Sequence, residues 1–194
     1  MTLSCKIPRE VALACSGGGD SMGALWFLTQ KPDRVKQLVF INHGTPFSEE
    51  GEGFVKRVAN KIGIPVKIFY LDNQEKNAEA IWHDQRNEIF QSNPLPIITA
   101  HNLDDQVEQY MMTTIKCGKF KPIPSTNNNI YRPFLFMTKP KLEDWAVRLG
   151  LGYLEDPTNY DIRRHRAYVR HLLVPSIRNG LGVELRTVVR KLLK

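Results

Sequence analysis

Val11-Ala12-Leu13-Ala14-Cys15-Ser16-Gly17-Gly18-Gly19-Asp20-Ser21 is the stretch from which the rest of the chain can be read. The apolar run with a β-branched start reads as a buried strand, and the three glycines end it in a tight turn. Beyond the turn, Met22, Leu25, Trp26 and Leu28 fall at helical spacing. A glycine turn between strand and helix lets backbone N–H groups come close to phosphate oxygens, and the helix dipole adds to the attraction. Ser16 and Ser21 can add hydroxyl donors. Two familiar phosphate loops do not fit: G-x-x-x-x-G-K-[ST] lacks its lysine, and G-x-G-x-x-G would need Met22 or Gly23 as its third glycine. A glycine turn that holds no ligand is the plain alternative.

The pattern repeats outward. Val35 to Asn42 reads as a second interior strand, followed by helical spacing from Phe54 through Val55, Val58 and Ile62. Val66 to Leu71 is a third strand, Ala78 to Phe90 a helix, and Pro96 to Ala100 a fourth strand running into a helix that begins near Asn102. Strands alternating with helices imply right-handed crossovers and a parallel sheet covered on both faces, a doubly wound α/β domain. Ligands of such sheets bind beyond the carboxyl ends of the strands, so Ser16, Asn42, Asp72 and His101 should converge on one crevice. From Gly118 to Asn129 the pattern breaks into a polar segment with two prolines and three asparagines, expected to be a mobile loop. Thr138 to Leu149 reads as a helix, Asp156 to Asn159 as a turn, and the remainder as basic helices separated near Asn179-Gly180.

The 194 residues carry a net charge of +7, which favours polyanionic partners, nucleic acid among them, although a solvated basic surface has the same composition. The cysteines Cys5, Cys15 and Cys117 form no C-x-x-C pair, and a cytoplasmic location is expected. No run of about 18 apolar residues suggests a membrane span.

Ser-Gly-Gly-x-Asp-Ser between strand and helix resembles the signature of the PP-loop ATP pyrophosphatases. Ile98-Thr99-Ala100-His101-Asn102-Leu103-Asp104-Asp105-Gln106-Val107-Glu108 is similar to the T-A-H-x-x-D-D-Q-x-E element of the tRNA(Ile)-lysidine synthetase family. Asn42-His43-Gly44, the segment from Asn77 to Phe90, Arg132-Pro133-Phe134 (a strand in that family), Glu155-Asp156-Pro157-Thr158-Asn159-x-Asp161, and Arg166 with Arg170 match further elements in order. The resemblance runs from about Val11 to Pro175. It implies a doubly wound parallel five-stranded sheet in residues 1–135, holding ATP and Mg2+, and a small basic helical extension in 136–194. It also implies an ATP-dependent ligase that adenylates the wobble cytidine of a tRNA(Ile) with a CAU anticodon and then lets free L-lysine displace AMP. A homodimer is compatible with it.

The same resemblance suggests roles. Ser16, Gly17, Gly18, Gly19, Asp20, Ser21, Asn42 and His43 would hold ATP, and Asp20, Ser21, His101 and Asp105 would serve the chemistry. Asp20 is equally suited to hold magnesium or to cap the following helix. Asp105 and Glu108, three apart on one helical face, would receive the lysine ammonium; the alternative is an acidic first helical turn that complements the dipole, which explains Asp104 more comfortably than Glu108. Arg86 would meet the lysine carboxylate or a phosphate, unless it forms a surface ion pair. His101 could contact ATP, assist proton movement or be structural. The basic tail with Arg163, Arg164, Arg166, Arg170, Arg178 and Arg186 would contact tRNA phosphates.

The chain departs from the family at His83 and Asn87, at Lys116-Cys117-Gly118-Lys119 in place of a glycine-rich turn, and at Ala167 in place of asparagine. It also stops soon after the basic helices, as a version without the C-terminal domains of longer relatives would. Three alternatives stay open: a PP-loop tRNA thiolase, a ligase of small molecules, and a nucleotide- or RNA-binding module without catalysis.

Overall fold

The computed structural model describes residues 2–71 and 78–193 of the chain. Asp72 and Asn77 lie outside the described residues. In chain order the elements are β1 (Val11–Ala14), α1 (Gly19–Thr29), β2 (Val35–Asn42), α2 (Pro46–Ile62), β3 (Val66–Tyr70), α3 (Ala78–Ser92), β4 (Ile97–Ile98), α4 (Leu103–Cys117), β5 (Thr126–Asn127), β6 (Ile130–Tyr131) and α5 (Lys139–Leu149). A 3-10 turn (Pro157–Tyr160) follows, then α6 (His165–Tyr168), a π-helical turn (Val169–Leu173), α7 (Val174–Leu181) and α8 (Leu185–Leu192).

The sheet order is β3-β2-β1-β4-β6-β5. Five strands run parallel, as expected, and β5 adds a sixth, antiparallel to β6 at the edge. The fifth parallel strand lies at Ile130–Tyr131, just before the expected Arg132-Pro133-Phe134, because Pro133 has no N–H to give a ladder. Strand order reverses between β1 and β4, so their carboxyl ends, Cys15-Ser16 and Ala100-His101, open on the switch-point crevice.

Alternation along the strands sends residues to two cores. Val11, Leu13, Leu38, Phe40 and Ile98 pack with Met22 and Leu25 of α1, Val55 and Val58 of α2, and Leu142, Trp145 and Ala146 of α5. Ala12, Val39, Ile97 and Ile130 face Phe90 of α3. Helix α5, which opens the expected extension, therefore belongs to the main core. A third, smaller core joins Leu103 and Val107 of α4 to Leu185 and Val189 of α8.

Helix α2 begins eight residues before the expected Phe54, because Thr45 caps it (Oγ1 accepts from Ser48 N, 3.2 Å) and Pro46 occupies its first turn. The polar segment after Gly118 is tied down rather than loose. Gln106 Nε2 donates to the Ile123 carbonyl (2.8 Å) and its Oε1 accepts from Ile123 N (3.0 Å), while Asn129 Nδ2 donates to carbonyls of Phe90, Asn93 and Leu95. The last helices separate at Gly182, whose φ of +65° ends α7, and not at Asn179-Gly180, where the helix continues. Among the described residues no helix is long and apolar enough to cross a membrane.

Candidate functional site

The glycine turn is closed from several sides. Gly17 has φ +82°, and a Cβ there would stand 3.0 Å from the Phe54 ring. Ser21 Oγ donates to the Gly18 carbonyl (2.9 Å), and the Ser16 and Ser21 hydroxyls lie 3.4 Å apart. Gly18 is the N-cap of α1, so no cap side chain hydrogen-bonds to the first N–H groups of that helix, and Gly18 and Gly19 line the crevice at the positive end of its dipole. Across the turn, Leu154 N donates to the Gly17 carbonyl (2.9 Å), and Leu154 bridges Gly18 in parallel.

Two connected lobes meet at this turn. The first, about 390 Å3, is lined by Ser16, Asp20, His43, Arg86, His101 and Asp105, with Val39, Phe40 and Phe90 as apolar walls. The second, about 420 Å3, runs from Gly18, Gly19 and Asp20 past Lys139 and Arg170 to Tyr160 and His171. A cleft that offers an apolar wall, an N–H-lined turn and facing charges fits a nucleotide with its phosphates.

Asp20 stands at the junction. Among the described residues no donor reaches its buried Oδ1. Burial foremost, then the Asp105 carboxylate and Glu143, push its carboxyl up to about 7 against the pull of Lys139 and Arg170. A buried carboxylate oxygen without a donor invites a cation. No cluster of three metal-ligating side chains occurs among the described residues, so a Mg2+ ion at Asp20 would draw its further ligands from water or from the phosphates of a nucleotide.

His101 follows β4. Its Nδ1 lies 2.8 Å from Thr99 Oγ1, and burial, with Arg132, Arg86 and Arg166 adding to it against Asp105, takes its pKa down to about 4. The imidazole is neutral at neutral pH. His43 also lines the first lobe, its ring against Trp82 (5.0 Å), and burial and Arg86 lower its pKa. Arg86 borders the same lobe, and among the described residues no carboxylate lies in ion-pair reach of it. It is suited to an incoming anion.

Other expected site residues have partners of their own. Asn42 is buried and does not line the lobes: its Nδ2 donates to Glu52 Oε2 (2.7 Å) and its Oδ1 accepts from Gly44 N (2.8 Å), which fixes the turn that carries His43. Asp105 faces the first lobe, yet its Oδ2 accepts from Asn102 N (2.8 Å) in a reciprocal capping box. Glu108, 2% exposed, lines neither lobe and is held by Arg170 Nε at 2.7 Å. Arg170 is correspondingly drawn inward from the basic tail, because a buried carboxylate needs a cation.

The π-helical turn aids this placement. Pro175 has no N–H for the carbonyl four residues back, and the helix widens just before it, with Val174 N donating to the Val169 carbonyl. Arg178 pairs with Glu184, Arg186 with Asp104, and Arg163 grips Asp161 through a two-pronged contact (2.8 and 2.9 Å). Arg164 is exposed and Arg166, 53% exposed, stands 4.0 Å from Glu108 Oε2.

Sequence reasoning did not single out Lys139, Phe47, Tyr153 or Tyr160, which line the second lobe. Lys139 arrives because α5 lies directly on α1, where a Cβ on Gly23 would fall 2.0 Å from the Leu142 carbonyl oxygen. A glycine in mid-helix was the one available signal of that close approach.

A family profile described as PP-loop domain matches residues 3–177. The chain belongs to the PP-loop family. The matched stretch of this PP-loop protein takes in every strand, the glycine turn and both lobes. It is 28% identical over 182 residues to the tRNA(Ile)-lysidine synthase of Actinobacillus pleuropneumoniae serotype 3, an alignment covering 87% of this chain and 43% of the relative. It is likewise 28% identical to the protein of that name from Pseudothermotoga lettingae (88% and 42%) and to that from Thermus thermophilus (94% and 39%). The chain spans about two fifths of the length of these curated relatives.

Proposed function

We propose that this PP-loop chain is an ATP-dependent ligase of the tRNA(Ile)-lysidine synthetase type. In the first step the C2 oxygen of the wobble cytidine in a CAU anticodon attacks the α-phosphorus of ATP, the α–β anhydride bond breaks, and pyrophosphate leaves. In the second an amine of free lysine attacks C2, its proton is lost, and AMP leaves. The observation that carries this reading is the buried, donorless Asp20 oxygen beside the uncapped N–H groups of α1, opposite Asp105 and Arg86.

The division of labour follows from the surroundings. The α1 N–H groups and the Ser16 and Ser21 hydroxyls would bind the departing pyrophosphate, and the apolar wall with His43 would receive the nucleoside. Asp20 would hold Mg2+ together with phosphate oxygens, and the ion when bound supplies charge neutralisation at the α-phosphorus. Asp105 would take the lysine ammonium and Arg86 its carboxylate, while Glu108 acts through Arg170. His101, too weak a base to carry a proton at neutral pH, is suited to orient substrate by hydrogen bonding. Arg164 and Arg166 are the tail arginines with room for RNA phosphate.

Incubation with ATP, labelled lysine and CAU-anticodon tRNA transcripts tests the reading. Label should enter the RNA with AMP and pyrophosphate as products. Release of AMP and pyrophosphate without label in any transcript would leave adenylation standing and remove lysine as the second substrate.

A further inference from the structure

Tyr160 is 62% exposed and belongs to none of the three cores. Its ring nevertheless has a fixed neighbour: it stacks on His171 at 5.4 Å between centroids with 26° between planes. His171 is locked in turn, because its Nε2–H donates to the Asn159 carbonyl at 2.9 Å. The two rings are thus ordered in the free protein, and a ligand stacking on them meets little further loss of side-chain freedom. Both rings border the second lobe, the one that begins at Gly18, Gly19 and Asp20. The basic residues Arg164 and Arg166 follow within six positions, and both are exposed.

An aromatic platform at the mouth of a cleft, flanked by arginines, has the chemistry that single-stranded RNA selects: a π-face for an unpaired base and cations for the adjoining phosphates. The need for it comes from the reaction itself. An enzyme working on a base takes that base out of its stack, which leaves the neighbouring base without a partner. We infer that Tyr160, backed by His171, stacks on the unpaired RNA base next to the nucleotide being modified, and so replaces the stacking lost when that nucleotide enters the cleft. The inference rests on the reading of the substrate as tRNA. It adds a specificity element that acts on the loop's conformation and not on the reacting atoms.

Fluorescence anisotropy with a labelled anticodon stem-loop RNA carrying a CAU loop tests the platform. Tyr160→Ala should weaken binding about tenfold, with the slope of affinity against salt unchanged because no phosphate contact is removed. Tyr160→Phe should bind as the wild type does. The same RNA made abasic at the position beside the wobble cytidine should lose a similar factor with the wild type and nothing further with Tyr160→Ala. This arm uses unaltered protein, so a folding defect in the variant cannot imitate it. Equal binding by the wild type and Tyr160→Ala overturns the platform and leaves the tRNA reading standing. Weakened ATP binding with RNA affinity kept overturns it too, by assigning the ring to the nucleotide. A wild-type protein that cleaves ATP yet does not bind the stem-loop overturns the tRNA reading, and the platform with it.

Discussion

Replacing Asp20 by Asn should make the fold more stable at pH 8 while removing ATP-dependent chemistry. In the folded chain, burial and the facing carboxylates raise the Asp20 carboxyl from an ordinary 3.8 to about 7. At about 1.4 kcal/mol per pKa unit, holding it ionised in that site costs about 4 kcal/mol at the upper limit. The sign follows from proton counting. Between about pH 4 and 7 the folded state binds more protons at this group than the unfolded chain, so its contribution makes stability fall as pH rises through that window and stay low above it. Asparagine has nothing to ionise. Its loss as a negative group in the first turn of α1 is worth only about 0.3–1 kcal/mol in the opposite direction, so the desolvation effect wins. Thermal melts of both proteins from pH 4 to 8 should coincide near pH 4 and separate steadily, the net of about 3–3.7 kcal/mol giving a midpoint difference of about 6–15 °C if each kcal/mol moves the midpoint by about 2–4 °C. A separation that does not change with pH, or an Asn variant less stable at pH 8, refutes the placement of Asp20 as a strained anion and leaves it as an ordinary helix cap.

Further outcomes follow from the same geometry. Gly23→Ala puts a methyl 2.0 Å from the Leu142 carbonyl oxygen, so α1 and α5 must part and urea denaturation should show a loss of about 3 kcal/mol; an unchanged midpoint contradicts the helix contact. Arg170→Met strands the Glu108 carboxylate, with a loss of about 3 kcal/mol that the added change Glu108→Gln should largely restore; additive losses in the double variant rule out the pairing. ATP with Mg2+ at about a hundred times its Kd should stabilise the protein by about 2.7 kcal/mol, and chelation should shrink the calorimetric shift, whereas a shift indifferent to chelator speaks against a metal at Asp20.

The parallel sheet and its crevice were legible because each strand is a short apolar run ended by a turn residue or a glycine, and β1 with its glycines fixes where phosphate can sit. The β5–β6 hairpin was hidden because its strands are two residues each, although Asn128, at φ +48°, is the type of residue that tolerates the left-handed turn between them. The start of α2 carried a readable signal in Thr45-Pro46. Within the site, Ser16, Asp20, His43, Arg86, His101 and Asp105 do converge on the first lobe, since all but Arg86 sit just past strand ends or in the first turn of the helix that follows. The pairing of Glu108 with Arg170 joins residues 62 apart, and no local spacing encodes it; only the demand of a buried carboxylate for a cation explains why the tail turns inward there.

The clasp between Leu154 and the glycine turn has a consequence for anyone wishing to divide the chain. The turn is written between residues 16 and 21, yet its backbone is held in shape by a strand-like stretch more than a hundred positions later. A fragment stopped at residue 135 would keep every parallel strand and lose that clasp, Lys139 and the helix lying on Gly23. The shape of the glycine turn is a joint property of the first and last thirds of the protein, closed only when the chain returns to where it began.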